Sequence, residues 1–472
     1  MSSGNSLDVP QHEAARHGNL VLRLKWPETP TQRLQAMPVA ARTAVLTVTS
    51  STGDTVATRT VSREASTAVS VSLDLKPGND YTVSAEVSDQ SGTVIATGKS
   101  LPFSVIRQRV STVDLTLAPL ISLVAGTGAN TYGGDGGPAA SAQLFLPQGL
   151  AVDENGNLFI ADTSNHAIRR VNSQGIITTL AGTTIRASTA PALGDNGLPT
   201  EVALRSPTSV AVAHNGDLLI ADSQAIRIVP ALNGDRYGQK LTGGRLHTLL
   251  VDSSLGGPIP SSVVVDRSGN IFYAESFRIQ MVTPAGSRSV VAGVGATSKG
   301  AGPDGPAKES QLNVPEGMLL DPSGNLLFVE RGNHRVRLLC RNSGTNFGIP
   351  MASGSVYTIA GKGVATTDPV TLGDGKDALE ATLNAPRGLA LDTQGNLYIA
   401  DWGNQRIRRM SPDRRISTIA GTGSRSTSAA TDLGDGAAAL EATFANPTGL
   451  ALMNDMLFIA DTSNHRVRRV PL

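Results

Sequence analysis

Cysteine is nearly absent: Cys340 is the only one in 472 residues. An intramolecular disulfide and any Cys-cluster metal site are therefore excluded. A lone Cys at the end of an apolar run reads as a small core hydrophobe. Excess charge is also missing. Forty basic and 39 acidic side chains leave a net charge of +1, which gives no general pull toward nucleic acid or anionic membrane. Aromatics are 4% of the chain. No window approaches the ~20 apolar residues of a membrane span. Residues 1–18, "MSSGNSLDVPQHEAARHG", hold no apolar run, so they read as a disordered lead-in with no visible signal peptide. What the chain has in quantity is turn formers, 50 Gly and 26 Pro, among many Val, Thr and Ile. That mixture implies short strands and tight turns.

Residues 19–118 alternate apolar and polar side chains in seven runs, among them "NLVLRLKW", "TAVLTVTS" and "TAVSVSLDL". Turn signals such as "STGD" and "KPGND" separate them. Period-2 runs at this density predict an antiparallel β-sandwich, with Trp26 and Tyr81 as core residues. "LKPGNDYTVSAEV" resembles Ig-like or transthyretin-like modules of bacterial surface proteins. No chemistry is evident here.

From 121 onward the chain repeats itself. The copies begin "PQGLAVDENGNLFIADTSNHAIRRV" (147–171), "PTSVAVAHNGDLLIADSQAIRIV" (207–229) and "PSSVVVDRSGNIFYAESFRIQMV" (260–282). They continue "PEGMLLDPSGNLLFVERGNHRVRLL" (315–339), "PRGLALDTQGNLYIADWGNQRIRRM" (386–410) and "PTGLALMNDMLFIADTSNHRVRRV" (447–470). A spacing of 53 to 71 residues suits a four-stranded blade with loops. "GLAVD" is a first strand, "LFIAD" a second, "AIRRV" a third, and a phrase such as "ITTLAG" a fourth. The "DTSNHAIRRV", "RGNHRVRLL" and "GNLFIAD" segments, with the "GDGGPAASAQLFLPQGL" connection, resemble the NHL-repeat family of bacterial type. That resemblance implies a six-bladed β-propeller.

Fourth strands are expected at 121–126, 177–182, 245–251, 288–293, 356–361 and 416–421. The sixth repeat stops at Leu472 without one of its own. The copy at 121–126, which precedes every repeat, is therefore expected to pair with 466–470 as the outer strand of the last blade. The fold class is thus all-β, with three parts: a lead-in (1–18), a sandwich (19–118) and a propeller (119–472).

In a propeller the fourth-to-first connections and the second-to-third loops share one face, which is the candidate binding face. The connections carry Asp135, Asp195, Asp304, Asp374 and Asp435. A Ca²⁺ site needs converging oxygens, and one Asp per blade does not converge. These residues read instead as turn caps, with Asp135, Asp195, Asp374 and Asp435 kept as candidate binding residues. Asp162, Asn165 and Arg169 recur as Asp401, Asn404, Arg408 and Asp461, Asn464, Arg468. Recurrence at one place in several blades indicates architecture.

His166, His334 and His465 sit one per blade, too far apart for the zinc that some related propeller lyases hold in the channel. The channel strands "GLAVD", "SVAVA", "SVVVD", "GMLLD", "GLALD" and "GLALM" carry no His, Cys, Tyr, Arg or Lys. Asp153, Asp266, Asp321 and Asp392 end four of them as turn caps. Repeats two and three lack the Asn-His turn, which suggests a lowered rim bearing Phe277, Arg278 and Gln280.

The expected function is non-enzymatic recognition or scaffolding, by a monomer, of a protein, peptide or glycan on this face. No cofactor and no metal are expected. Related propellers include enzymes, so the alternative is a hydrolase or lyase with its site at the channel mouth. Some NHL propellers bind RNA. The Arg pairs "IRRV" and "VRRV" are strand residues and aromatics are scarce, so nucleic acid is a weaker expectation. The resemblance implies a secreted or cell-envelope protein.

Overall fold

The computed structural model describes residues 18–25, 43–62, 69–76, 78–89, 92–105, 110–185, 195–223, 225–251, 260–295, 302–365, 372–426 and 433–472. Trp26 and all but Gly18 of the expected lead-in lie outside them. Two compact units are present. One holds Met1–Ile121, Gly436–Ala439 and Val470–Leu472; the other holds Ser122–Asp435 and Leu440–Arg469.

In the first unit, Thr43–Thr49 is the strand between Thr55–Ser62 and Gly78–Ser88, in a sheet that continues through Val94–Lys99 to Ala118–Pro119. Ala44, Leu46 and Val48 alternate into the core with Tyr81, Val83, Ala85 and Val87, the period of a strand with one buried face. Tyr81 packs near Phe103 and donates to the Lys76 carbonyl at 3.1 Å. A second sheet has the order Val69–Leu75, Gly18–Lys25, Val110–Thr116. Its Gly18–Lys25 and Val110–Thr116 strands run parallel, which corrects the expectation of a wholly antiparallel module. Alternation determines which side chains are buried, not the direction of the neighbouring strand.

The second unit contains, among the described residues, six antiparallel blade sheets, five of four strands and one, blade four, with a short fifth strand at Gly305–Pro306. Blade one is Pro147–Val152, Leu158–Asp162, Ala167–Val171 and Ile177–Ala181; blade four is Pro315–Leu320, Leu326–Glu330, Arg335–Cys340 and Ser355–Ala360. The other four follow the same order. Blade six takes Pro447–Met453, Met456–Asp461 and Arg466–Pro471 from the end of the chain and Ser122–Ala125 from before the repeats. Ser122 pairs with Arg469, Leu123 with Arg468 and Ala125 with Val467. No single sheet closes on itself. The first strands contact one another in succession, and that of blade six meets that of blade one.

Side chains on facing sheets form the core between blades. Phe159, Ala161 and Ile168 of blade one meet Val210 and Ile220 of blade two. Burying each large apolar side chain contributes ~1.5–3 kcal/mol. Toward the channel the backbones abut. A Cβ on Gly317 would stand 1.9 Å from the Arg387 carbonyl oxygen, and one on Gly388 2.0 Å from that of Thr448. The Pro-x-Gly opening of these repeats is therefore a packing requirement. Cys340 is fully buried among Leu327, Val336 and Leu338, and burial pushes its thiol up.

Two elements go beyond the expected plan. Gly234–Arg236 pairs with Gln239–Leu241, and Gly344–Asn346 with Ile349–Met351. They are hairpins between the third and fourth strands of blades two and four. Tyr237-Gly238 and Phe347-Gly348 form their turns with φ of 56°, 73°, 49° and 71°, the geometry of a type I′ turn.

Candidate functional site

On the face carrying the second-to-third loops, the most buried polar feature is an arginine on the third strand of five of the six blades. Arg169, Arg227, Arg337, Arg408 and Arg468 are all 0% exposed. Each meets a carboxylate at the end of its second strand: Asp162 at 3.3 Å, Asp222 at 3.9 Å, Glu330 at 3.2 Å, Asp401 at 3.3 Å and Asp461 at 3.5 Å. Each also meets the aspartate of the connection entering its blade. Those distances are 2.6 Å to Asp135, 3.6 Å to Asp195, 3.3 Å to Asp304, 2.5 Å to Asp374 and 2.8 Å to Asp435.

The turn-cap expectation for these five aspartates is thus corrected. The arginine reaches out of the strand and holds the connection's carboxylate. Asp377, by contrast, does cap the turn Ala378–Glu380. The Asp-Asn-Arg sets form compact networks. Asn165 donates to Asp162, Asn404 to Asp401 and Asn464 to Asp461, at 2.9, 2.9 and 2.8 Å. Burial pushes the Asp162 and Asp461 carboxyls up to about 6, against the pull of these partners.

The histidines bind no common centre. Each stands in the left-handed conformation after a 3₁₀ turn, and its Nδ1 accepts a backbone N–H from the next blade's approach. His166 takes Ser206 at 3.1 Å, His334 takes Ala385 at 2.9 Å and His465 takes Leu146 at 3.1 Å. Gln405 does the same for Asn446 at 2.6 Å through its Oε1. Blade three has no such side chain; there the Ser276 carbonyl accepts from Val314 at 2.8 Å. Among the described residues, no group of three His, Cys, Asp or Glu is placed to hold a metal ion.

Blade three also departs from the arginine pattern. Gln280 occupies the arginine's place and donates to Glu275 at 2.6 Å, and Arg278 donates to the same carboxylate at 2.5 Å. Phe277 is half-buried. Repeat three thus lacks both the arginine and the Gly-Asp-Gly connection that the arginine would hold. The two losses match physically, since a buried arginine without its outer carboxylate would be under-compensated. The connection itself, 252–259, lies outside the described residues.

On the opposite face, Asp153, Asp266, Asp321 and Asp392 each accept the backbone N–H of the residue four positions on, at 2.8 to 2.9 Å. These are turn caps.

The channel departs from expectation. Its lining includes Glu316 and Arg387, which correct the reading of first strands without charge. Glu316 belongs to the first strand of blade four, Pro315–Leu320, and Arg387 stands two residues ahead of that of blade five, Leu389–Leu391, so the residue before Gly also faces the channel. The six residues at this place are Gln148, Thr208, Ser261, Glu316, Arg387 and Thr448. An opposite-charge pair in adjacent repeats was the available signal.

Glu316 is 8% exposed. It lies 3.0 Å from Arg331 Nε, on the second-to-third turn of blade four, and 3.7 Å from Arg387. Its Oε1 nevertheless accepts no hydrogen bond, and neither arginine's Nε donates one. Burial pushes the Glu316 carboxyl above its ordinary range, against the pull of Arg387 and Arg331. The Arg387 guanidinium stacks 5.2 Å over Trp402, a half-buried ring on the equivalent turn of blade five. Elsewhere around the mouth, hydroxyls tie neighbouring blades. Ser261 donates to the Pro315 carbonyl at 3.0 Å and Thr448 to that of Gln148 at 3.3 Å.

Among known proteins, Teneurin-1 of Mus musculus is 29% identical over 269 residues, which are 50% of this chain and 10% of that protein. Teneurin-4 of Mus musculus is 31% identical over 271 residues, again 50% and 10%. The chain thus spans about a tenth of the length of these relatives. An auxiliary nutrient binding protein from Bacteroides thetaiotaomicron has a similar structure, with a TM-score of 0.54 at 15% identity over 95% of this chain and 97% of that one. The family description "Teneurin NHL domain" matches residues 87–340 and 350–425. With its repeats and its six antiparallel blade sheets, this chain belongs to the Teneurin NHL domain family.

Proposed function

We propose that the chain is a non-enzymatic recognition protein. It binds a protein, peptide or glycan on the face bearing the second-to-third turns, with the channel mouth between blades four and five at the centre. The observation that carries this reading is the cluster of Glu316, Arg331, Arg387 and Trp402. It brings two guanidiniums, a carboxylate and an indole together where the other blades place hydroxyls or an amide. Asp135, Asp195, Asp374 and Asp435 serve to hold the connections through the buried arginines. The rim with Phe277, Arg278 and Gln280 is a second docking position on the same face, where Glu275 already holds Arg278 and Gln280.

The unit acts as a six-bladed propeller completed by residues 121–126, as a monomer. Residues 19–118 form a separate sandwich and 119–472 the propeller. The location is extracellular or in the cell envelope. No helix among the described residues is long and apolar enough to cross a membrane. RNA is disfavoured because the first arginine of each "RR" pair, as in Arg169, Arg408 and Arg468, is buried in an ion pair.

A hydrolase or lyase at the channel mouth is the second reading, favoured by the buried, upward-shifted Glu316 carboxyl. The test is a screen of immobilised glycans, peptides and RNA with the full chain, with each ligand then assayed for breakdown. Capture without turnover supports recognition. Turnover that disappears in Glu316→Gln establishes the enzyme instead. Loss of capture in Phe277→Ala/Arg278→Ala, with Trp402→Ala unaffected, would move the site to the rim.

A further inference from the structure

We infer that the channel mouth between blades four and five binds an acidic sugar, a uronate unit of a glycan, with its carboxylate on Arg331 and Arg387 and its ring against Trp402. This rests on the recognition reading above and specifies its ligand.

The charges point to an anion. Two guanidiniums share one carboxylate, Glu316, so the cluster keeps one positive charge. The Arg331 and Arg387 side chains remain 34% and 26% exposed. Arginine presents paired donors suited to a planar carboxylate. Glu316 lies at 3.0 and 3.7 Å from them without a hydrogen bond. It sets the two cations beside each other, and their partly exposed guanidiniums are what a ligand carboxylate would meet. A buried polar group without a hydrogen bond is uncommon, and the residues Glu316 and Arg387 line the open channel.

The surroundings point to a sugar. Trp402 supplies an aromatic ring with Arg387 over one face, so the C–H face of a pyranose would lie against its other face. Gln148, Thr208, Ser261 and Thr448 continue the mouth with an amide and hydroxyls, which suit a polyhydroxylated ligand. A peptide would also need apolar pockets for its side chains. The residues at this level of the mouth offer none.

The experiment is calorimetric titration of the full chain with four probes. They are an α-1,4-linked tetragalacturonate, its fully methyl-esterified form, neutral maltotetraose, and a tripeptide with a free C-terminal carboxylate. Tetragalacturonate is expected to bind at least about tenfold more tightly than its ester or maltotetraose, the loss typical of one charge-assisted contact. Arg387→Gln and Trp402→Ala should each weaken it by a similar factor. Lys240→Ala, an exposed cation on the blade-two hairpin, should leave it unchanged. The acid-versus-ester comparison needs no variant and so survives any folding defect.

Equal binding of acid and ester overturns the inference, as does unchanged affinity in both site variants. Binding of the tripeptide alone also overturns it, while leaving the recognition reading intact. Cleavage of tetragalacturonate, by contrast, overturns that reading while leaving the uronate assignment in place.

Discussion

Leu123 stands opposite Arg468 in the outermost pair of the sixth blade. A residue ahead of every repeat thus completes the sheet begun by the last one. The same segment carries Gly126, whose φ is +91° and whose Cβ, were there one, would lie 2.3 Å from the His465 carbonyl oxygen. Gly182 makes the equivalent approach to His166 within blade one, at 2.1 Å. The glycine of the recurring "AG" phrase is thus where the fourth strand leaves its sheet against the backbone that enters the third.

Gly126→Ala is expected to destabilise the protein by about 1–3 kcal/mol, the cost of a strained backbone position, and Gly182→Ala by a similar amount. Urea denaturation measures both. A neutral Gly126→Ala beside a damaging Gly182→Ala would mean that 121–126 does not complete the ring.

Arg408→Met removes the cation between Asp401 and Asp374 and leaves Asp401, itself fully buried, without its charge partner. The expected loss is about 3–5 kcal/mol. Asp374→Asn removes only the outer, half-exposed partner and should cost less than about 1 kcal/mol. Equal losses in the two denaturation midpoints would contradict an arginine anchored chiefly from the inside.

The imidazoles make the ring sensitive to acid. Burial lowers the His334 and His465 pKa values below the ordinary 6.5, and each Nδ1 accepts a hydrogen bond only when unprotonated. This stabilisation is complete above about pH 6.5 and is lost as pH falls through the lowered folded values. Asp162, Asp222 and Asp461, raised to about 6 by burial, work in the opposite direction, since they take up protons in the folded state first. A His334→Gln/His465→Gln variant isolates the imidazoles, because Gln405 already makes this bond with an amide. Thermal melts from pH 7.5 to 4.5 should show the wild type losing more of its Tm than the variant. Parallel curves would assign the acid sensitivity elsewhere.

The blade-two hairpin reaches its neighbour through one tyrosine. The Tyr237 hydroxyl donates to the Gly269 carbonyl at 3.0 Å and its backbone N–H to Pro284 at 2.6 Å. Tyr237→Phe is expected to cost about 1–2 kcal/mol by leaving that carbonyl unpaired. Hydrogen exchange should show faster opening of the 266–270 turn. Unchanged exchange there would make the hairpin an appendage of blade two alone.

The sequence by itself determined the blades. Period-2 runs, turn glycines and six aligned copies identify strands because side-chain alternation and positive φ are local properties. The missing final strand could be matched to 121–126 by counting. The histidine positions were legible too, but not their job, because each Nδ1 meets a backbone N–H 40 to 319 residues away. The extra hairpins went unread, although Tyr237-Gly238 and Phe347-Gly348 in the two long third-to-fourth connections were an available turn signal.

Only the tertiary structure decided which carboxylate each buried arginine takes, and that Glu316, Arg331, Arg387 and Trp402 form one cluster. Their positions lie 15 to 86 residues apart. They meet because two neighbouring blades abut at Gly317 and Gly388, where the backbones leave no room for a side chain.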